Sequence, residues 1–170
     1  HYFVKYNGEI LTLVPDTYTA WHAGVSSWKK FVSLNKFSIG IEISNPGHEF
    51  KYKKYSKYQI DSLIKLSKFL IKKYKIKSKF ILGHSDIAPK RKKDPGEKFP
   101  WKYLSNHKIG LFHNLKQKKL LENREKKISN LDKNRFITNL NKIGYLKNSK
   151  NKDDKYSKIL ASAFQRRFRQ

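Results

Sequence analysis

Cysteine and methionine are both absent from the 170 residues. Without cysteine there is no disulfide scaffold, no thiolate ligand for zinc and no thiol redox chemistry. No methionine stands at position 1, and the chain opens on His1-Tyr2-Phe3-Val4 as if inside a strand. No signal peptide or lipidation motif is visible, so the sequence reads as an interior piece of a longer protein. No apolar run approaches the roughly 18 residues of a membrane-spanning helix, so no transmembrane segment is expected. Acidic residues are scarce, 13 against 39 basic ones, which leaves a formal charge of +26. Arginine is scarce too: six of the basic residues, spread along the chain, against a large lysine majority. Base and phosphate readout favours the arginine fork, so the charge reads as a solvated lysine-rich surface and no nucleic-acid partner is expected. An anionic polymer remains a natural neighbour for such a surface. What is present suffices for a core: 38% hydrophobic and 14% aromatic residues, in a length that suits one domain with a small appendage.

Local patterns place the first elements. His1 to Tyr6 and Glu9 to Val14 flank Asn7-Gly8, a dipeptide suited to a tight hairpin turn. Pro15 to Asn35 reads as a loop carrying Trp21-His22-Ala23-Gly24 and Trp28. Ser38 to Ser44 is a short β run, closed by Asn45-Pro46-Gly47. Ser56 with Gln59 makes a capping box. Behind it Ile60, Leu63, Ile64, Ser67, Leu70, Ile71 and Tyr74 share one helical face. Phe80-Ile81-Leu82 reads as a second buried strand that delivers Gly83-His84, and residues 85–103 as a Pro- and Lys-rich loop. The expected class is α/β, a mixed central sheet flanked by helices, followed by a small all-α C-terminal module. The module rests on two helical patterns. One runs from Asn134 to Ile143 with Gly144 as its stop. The other holds Ile159, Leu160, Ala163, Phe164 and Phe168. Asn148 to Asp154 between them reads as polar loop.

The chemistry-bearing stretch runs from Gly83 to Gly96. A histidine at a strand end, with an aspartate ten residues on in a rigid loop, suits zinc, for which imidazole and carboxylate are both ligands. Spacing alone favours the other reading of the same residues, a backbone-bonded histidine and a turn-forming Asp-Pro-Gly, since two donors alone do not make a site. Glu42 lies amid Ile39-Gly40-Ile41 and Ile43. Either it is buried with a partner or a task, or it is a carboxylate that alternation turns to water.

Four motifs occur in order: Trp21-His22-Ala23-Gly24-Val25-Ser26-Ser27-Trp28; Ser38-Ile39-Gly40-Ile41-Glu42; Gly83-His84-Ser85-Asp86-Ile87-Ala88-Pro89 with Arg91-Lys92 and Asp94-Pro95-Gly96; and Phe99-Pro100-Trp101. Together they closely resemble the zinc-dependent N-acetylmuramoyl-L-alanine amidases of the type 2 amidase family, relatives of the peptidoglycan recognition proteins, over roughly residues 1–110. The resemblance implies a Zn2+ cofactor with His84 and Asp94 as the second and third metal ligands. It implies Glu42 as catalytic base, Lys92 as the group facing the scissile carbonyl, and Trp21, His22, Ala23 and Gly24 along the substrate groove. The implied reaction cuts the amide between N-acetylmuramic acid and L-alanine in peptidoglycan or muropeptides. A metal-free peptidoglycan-binding protein is the alternative.

One departure accompanies the resemblance. The family's first zinc ligand is a histidine on a strand upstream of His1, and His1 itself matches a non-ligand position. A longer protein is therefore expected to supply the missing ligand, and a lipid anchor upstream stays open. His48, His107 and His113 match no motif and read as surface groups. The tail from Phe136 to Tyr145 and from Ala163 to Arg169 resembles part of a helical peptidoglycan-binding domain. The expected organisation is a catalytic domain over 1–112 lacking its first strand, a linker over 113–129 and a partial wall-binding module over 130–170. That module implies the cell envelope or periplasm, with the cytoplasm as alternative.

Overall fold

A computed structural model of the chain describes residues 1–125, 129–145 and 154–169. The Asn7-Gly8 turn does what its chemistry dictates. Gly8 takes a φ of 88°, and the hairpin joins β1 (Tyr2–Val4) to β2 (Ile10–Thr12) in antiparallel register. On its other side β1 pairs in parallel with β5 (Ile41–Ile43), with Phe3 opposite Glu42. The sheet is thus small and mixed, in the order β2-β1-β5. Helix α1 (Lys57–Tyr74) follows. Ser56 Oγ accepts from the Gln59 N–H at 3.1 Å, and Gln59 Oε1 accepts from the Ser56 N–H at 3.0 Å, completing the capping box. Gln59 is fully buried and its Nε2 donates to the Ser44 carbonyl at 2.7 Å, tying the start of α1 to the end of β5. Ile60, Leu63, Ile64, Ser67 and Leu70 are buried along one face of α1, as their spacing requires. The architecture is the expected α/β class: a small mixed sheet flanked by helices.

The loop expected over Pro15–Asn35 contains a small antiparallel pair, β3 (Ser27–Trp28) and β4 (Phe31–Val32), and a 3-10 turn over Leu34–Lys36. The strand expected at Phe80-Ile81-Leu82 does not form. Residues Ser78–Phe80 make a 3-10 turn. The Phe80 and Ile81 N–H groups close turns onto Lys77 and Ser78, and the Ile81 carbonyl accepts from the Arg167 guanidinium at 3.0 Å. These bonds commit the Phe80 and Ile81 donors and the Ile81 acceptor to turns and to Arg167 in place of a ladder. The stretch expected as loop after it holds a one-turn helix α2 (His84–Ile87) and helix α3 (Trp101–Asn106).

Beyond residue 112, α4 (Gln117–Glu125) lies within the segment expected as a linker. Helix α5 (Asn130–Ile143) has Ser129 and Asp132 as its capping box, with Gly144 at its C-terminal end, and α6 (Asp154–Phe168) follows. The polar loop expected at 148–154 falls outside the described residues except for Asp154. These last helices do not stand apart from the sheet domain. Leu140, Tyr145, Tyr156, Leu160 and Ala163 form one buried cluster with Ala23, Trp28 and Leu34. Gly144 meets Trp28 so closely that a Cβ there would lie 2.4 Å from the indole, which is why the stop residue has no side chain. The core under α1 is separate, combining Ile60, Leu63 and Ile64 with Phe99, Trp101, Leu104 and Ile109.

Candidate active site

Three segments meet over the C-terminal end of β5. Alternation on β5 sends Ile41 and Ile43 inward towards the α1 core and Glu42 to the opposite side. Glu42 is exposed, so of the two sequence readings the solvent-facing one describes it. It faces a cavity of about 310 Å3 whose walls also include Trp21, His22, His84, Lys92 and Asp94. Six of the eight residues expected at the site therefore share one cleft. Ala23 and Gly24 are not among its walls. Ala23 is 1% exposed, and its carbonyl accepts from Arg91 Nη2 at 2.8 Å and from His84 Nε2 at 3.2 Å. Ala23 thus ties the tryptophan loop to both Arg91 and His84 through its carbonyl.

The rim itself is fixed by Asn35, which the sequence patterns did not single out. Its buried side-chain oxygen accepts from the His22 N–H at 3.1 Å and from the Ala23 N–H at 2.7 Å. His22 then lies flat against Gly40, where a Cβ would be 2.3 Å from the imidazole Cγ, and donates from Nε2 to the Ser38 carbonyl at 3.2 Å. Burial, with the neighbouring His84 as a lesser cause, holds the His22 imidazole below its ordinary value, so it is neutral at pH 7. Trp21 is left 88% exposed at the mouth, an apolar plate facing solvent. His1, one residue before β1, is buried: its Nδ1 accepts from the Gly40 N–H at 3.0 Å and its Nε2 donates to the Tyr18 carbonyl at 3.0 Å.

On the opposite wall, α2 and the loop behind it bring His84 and Asp94 together. The Ser85 N–H donates to the Asp94 carbonyl at 2.8 Å. The Tyr52 and Tyr55 hydroxyls both donate to the Pro95 carbonyl, at 2.6 and 2.9 Å. Burial raises the Tyr52 phenol to about 12, so it remains a donor across the physiological range. Tyr52, Tyr55 and His48 also line the cleft, and none had been singled out for it. His48 is exposed, as read, and pairs with Glu97 at 3.0 Å. His107 and His113 lie elsewhere, bonded to the carbonyls of Tyr103 and Phe168.

His84 Nδ1 stands 3.0 Å from Asp94 Oδ2 while Nε2 donates to Ala23. Two lone-pair donors that close require a positive charge between them, a proton or a metal ion. Burial pushes the Asp94 carboxyl up, but the hydrogen bond and charge of His84 outweigh it and hold Asp94 below its ordinary value. Imidazole and carboxylate are the right donor types for zinc, and they converge. No group of three or more His, Cys, Asp or Glu that could hold a metal forms among the described residues. The pair therefore fits two places of a metal centre and does not fill it.

Behind His84 lies a buried clamp. Asp86 Oδ2 accepts from the Gly83 N–H at 2.9 Å and from Arg167 Nη1 at 2.6 Å, while Oδ1 accepts from the Tyr145 hydroxyl at 2.5 Å. The Arg167 guanidinium stacks 3.9 Å over the Trp101 ring. Residues from the end of α6 and just beyond α5 thus brace the turn that carries His84. Arg91, bonded to the carbonyls of Ala23 and Val25, braces the tryptophan loop from the other side.

Comparison with known proteins gives this arrangement a family. Residues 1–97 match Amidase_2, N-acetylmuramoyl-L-alanine amidase. The N-acetylmuramoyl-L-alanine amidase AmiD of Escherichia coli K12 is 44% identical over 122 residues, 65% of this chain and 44% of that protein. The 1,6-anhydro-N-acetylmuramyl-L-alanine amidase AmpD of Enterobacter cloacae is 40% identical over 98 residues, 58% of this chain and 50% of that protein. The chain spans about half the length of these curated relatives. The solved complex of E. coli AmiD with its substrate, anhydro-N-acetylmuramic acid-L-Ala-D-gamma-Glu-L-Lys, superposes with a TM-score of 0.86 at 32% identity. That superposition covers 99% of this chain and 70% of that one, so it takes in the C-terminal helices. By matched residues and by fold, this chain belongs to the N-acetylmuramoyl-L-alanine amidase family.

Proposed function

We propose that this cleft hydrolyses the amide between the lactyl group of N-acetylmuramic acid and the L-alanine of a stem peptide, with anhydro-muropeptides as substrate. The observation that carries the reading is the convergence of Glu42, His84, Lys92 and Asp94 on one cavity beneath an exposed tryptophan. Family membership and the substrates named for AmiD and AmpD support it.

Each side chain has a task of which its chemistry is capable. Glu42 accepts a proton from the attacking water and returns it to the departing alanine nitrogen, which must be protonated to leave. Lys92, a positive charge in the same cavity, balances the oxyanion that develops on the scissile carbonyl. Trp21 offers an apolar face to the sugar. His84 and Asp94 would hold zinc, with a further protein donor beyond the described residues. When bound, zinc makes water nucleophilic near neutral pH and polarises the carbonyl.

The alternative, a peptidoglycan-binding protein without catalysis, is favoured by one observation: among the described residues no group of three metal donors forms around the His84–Asp94 pair. Incubation with an anhydro-muropeptide, with and without a chelator, separates the readings. Release of the free peptide that the chelator abolishes supports the zinc amidase. Release only by a longer chain that carries a third donor supports it equally. Release by neither leaves the binding protein. We place the protein at the cell envelope, a location that the resemblance of its tail to a wall-binding module supports. Fractionation of cells checks this, and recovery in the cytoplasm would overturn it.

A further inference from the structure

Helix α2 fixes the Cα of His84, but the direction of the imidazole is set by what its two nitrogens meet. Nδ1 faces Asp94 Oδ2 at 3.0 Å. Nε2 faces inward and donates at 3.2 Å to the carbonyl of Ala23, a residue that is fully buried. That carbonyl is the inner anchor of the ring. It belongs to neither a helix nor a strand, so its position is only as firm as the bonds that hold its loop.

Two side chains supply those bonds. Arg91 Nη2 donates to the same Ala23 oxygen at 2.8 Å and to the Val25 carbonyl at 3.3 Å. A carbonyl oxygen has two lone pairs, and here one serves Arg91 and the other His84. Asn35, 12 residues further along the chain, holds Ala23 by its other backbone group. Its Oδ1 accepts from the Ala23 N–H at 2.7 Å and from the His22 N–H at 3.1 Å, which also reaches the Ala20 carbonyl. The amide nitrogen of Asn35 cannot accept, so two N–H groups dictate which end of the side chain points at the loop. Asn35 is itself buried and is not among the walls of the cleft. A relay of hydrogen bonds thus runs from Asn35 through the Ala23 backbone to His84 and on to Asp94. We infer that Asn35 is a positioning residue: through Ala23 it sets the direction of the His84 ring, and with it the spacing of the His84–Asp94 pair. The consequence for catalysis rests on the amidase reading, to which this adds a residue that acts without touching the reacting atoms.

The test follows the His84 Nε2 proton by NMR in the nitrogen-15-labelled chain, at one pH, with a chelator present and well below Tm. Bonded to a buried carbonyl, that proton should exchange slowly with water in the wild type. In Asn35→Ala it should exchange about 5-fold faster, the factor that one net hydrogen bond is worth, while the amides of β1 keep their rates. Asn35→Asp retains an accepting oxygen and should restore slow exchange. Arg91→Ala, at an exposed position, should also speed it. An unprotected Nε2 proton in the wild type, or an unchanged rate in Asn35→Ala, would overturn the inference. Faster exchange shared equally by β1 would assign Asn35 to general stability and overturn it too. In hydrolysis of an anhydro-muropeptide, kcat of Asn35→Ala should fall about 10–100-fold and recover in Asn35→Asp. Hydrolysis with kcat unchanged would sink the positioning alone. No hydrolysis, by this chain or a longer one, would sink only the amidase reading, because the exchange rates need no turnover.

Discussion

Replacing Arg167 by methionine removes one side of an ion pair that the fold has enclosed. The side chains of Arg167 and Asp86 are 4% and 1% exposed and meet at 2.6 Å. In Arg167→Met the stem keeps most of its packing, but Asp86 retains only the Gly83 N–H and the Tyr145 hydroxyl as partners. Breaking a buried pair from one side costs about 3–5 kcal/mol, chiefly because the surviving charge is left uncompensated. For a chain of this length each kcal/mol lowers Tm by about 2–4 °C, so a fall of about 6–20 °C is expected by calorimetry. The double variant Asp86→Asn/Arg167→Met removes the stranded charge and should recover at least half of that loss. Because Gly83 precedes His84, the single variant should also weaken whatever binds at His84 and Asp94, a loss separable from unfolding by working well below Tm. A melting point within about 3 °C of wild type would refute the clamp.

Glu42→Gln should lower peptide release by about 10²–10⁴-fold and leave the circular dichroism and Tm unchanged, since the side chain is exposed and acts as a base. Gly40→Ala drives a methyl to 2.3 Å from the His22 ring. Overpacking of about 1–3 kcal/mol should appear as a lower Tm together with weaker ligand binding at the Trp21 rim. Asp16 accepts hydrogen bonds from Tyr2, Lys73 and Tyr74. Burial raises its carboxyl, but these partners outweigh that and hold it below its ordinary 3.8. A carboxyl lowered on folding stabilises fully above its unfolded value and loses that contribution as pH falls below it. Denaturant midpoints for wild type and Asp16→Asn should therefore differ at pH 7 and converge below about pH 3.8. A constant gap would contradict the linkage.

What could be read in the sequence was what local chemistry decides. The Asn7-Gly8 hairpin and the Ser56–Gln59 capping box are set by residues within four positions of each other, and both formed as read. Phe80-Ile81-Leu82 was misread because an apolar triplet reports burial, not pairing. The partner of its backbone is Arg167, 86 residues away. Helix α3 and the β3–β4 pair escaped notice because they are too short for periodicity to register and are held by tertiary packing of Trp101 and Trp28. At the site, spacing alone favoured a structural histidine and turn over a metal pair at His84 and Asp94, and it was the order of four motifs that pointed to a family. Asn35, Tyr52 and Tyr55 carried no signal, since each acts through one hydrogen-bonding atom on a backbone distant in sequence. That α5 and α6 brace the His84 turn was equally invisible, for Asp86, Tyr145 and Arg167 come together only in the folded chain.

The most direct measurement is hydrolysis of an anhydro-muropeptide in water enriched in oxygen-18, with the products weighed by mass spectrometry. If water attacks the lactyl carbonyl with Glu42 as base, one labelled oxygen enters the muramic acid carboxylate and the released peptide begins with an unlabelled L-alanine amine. Label in the peptide, or cleavage at any other bond, would contradict the assignment of this cleft.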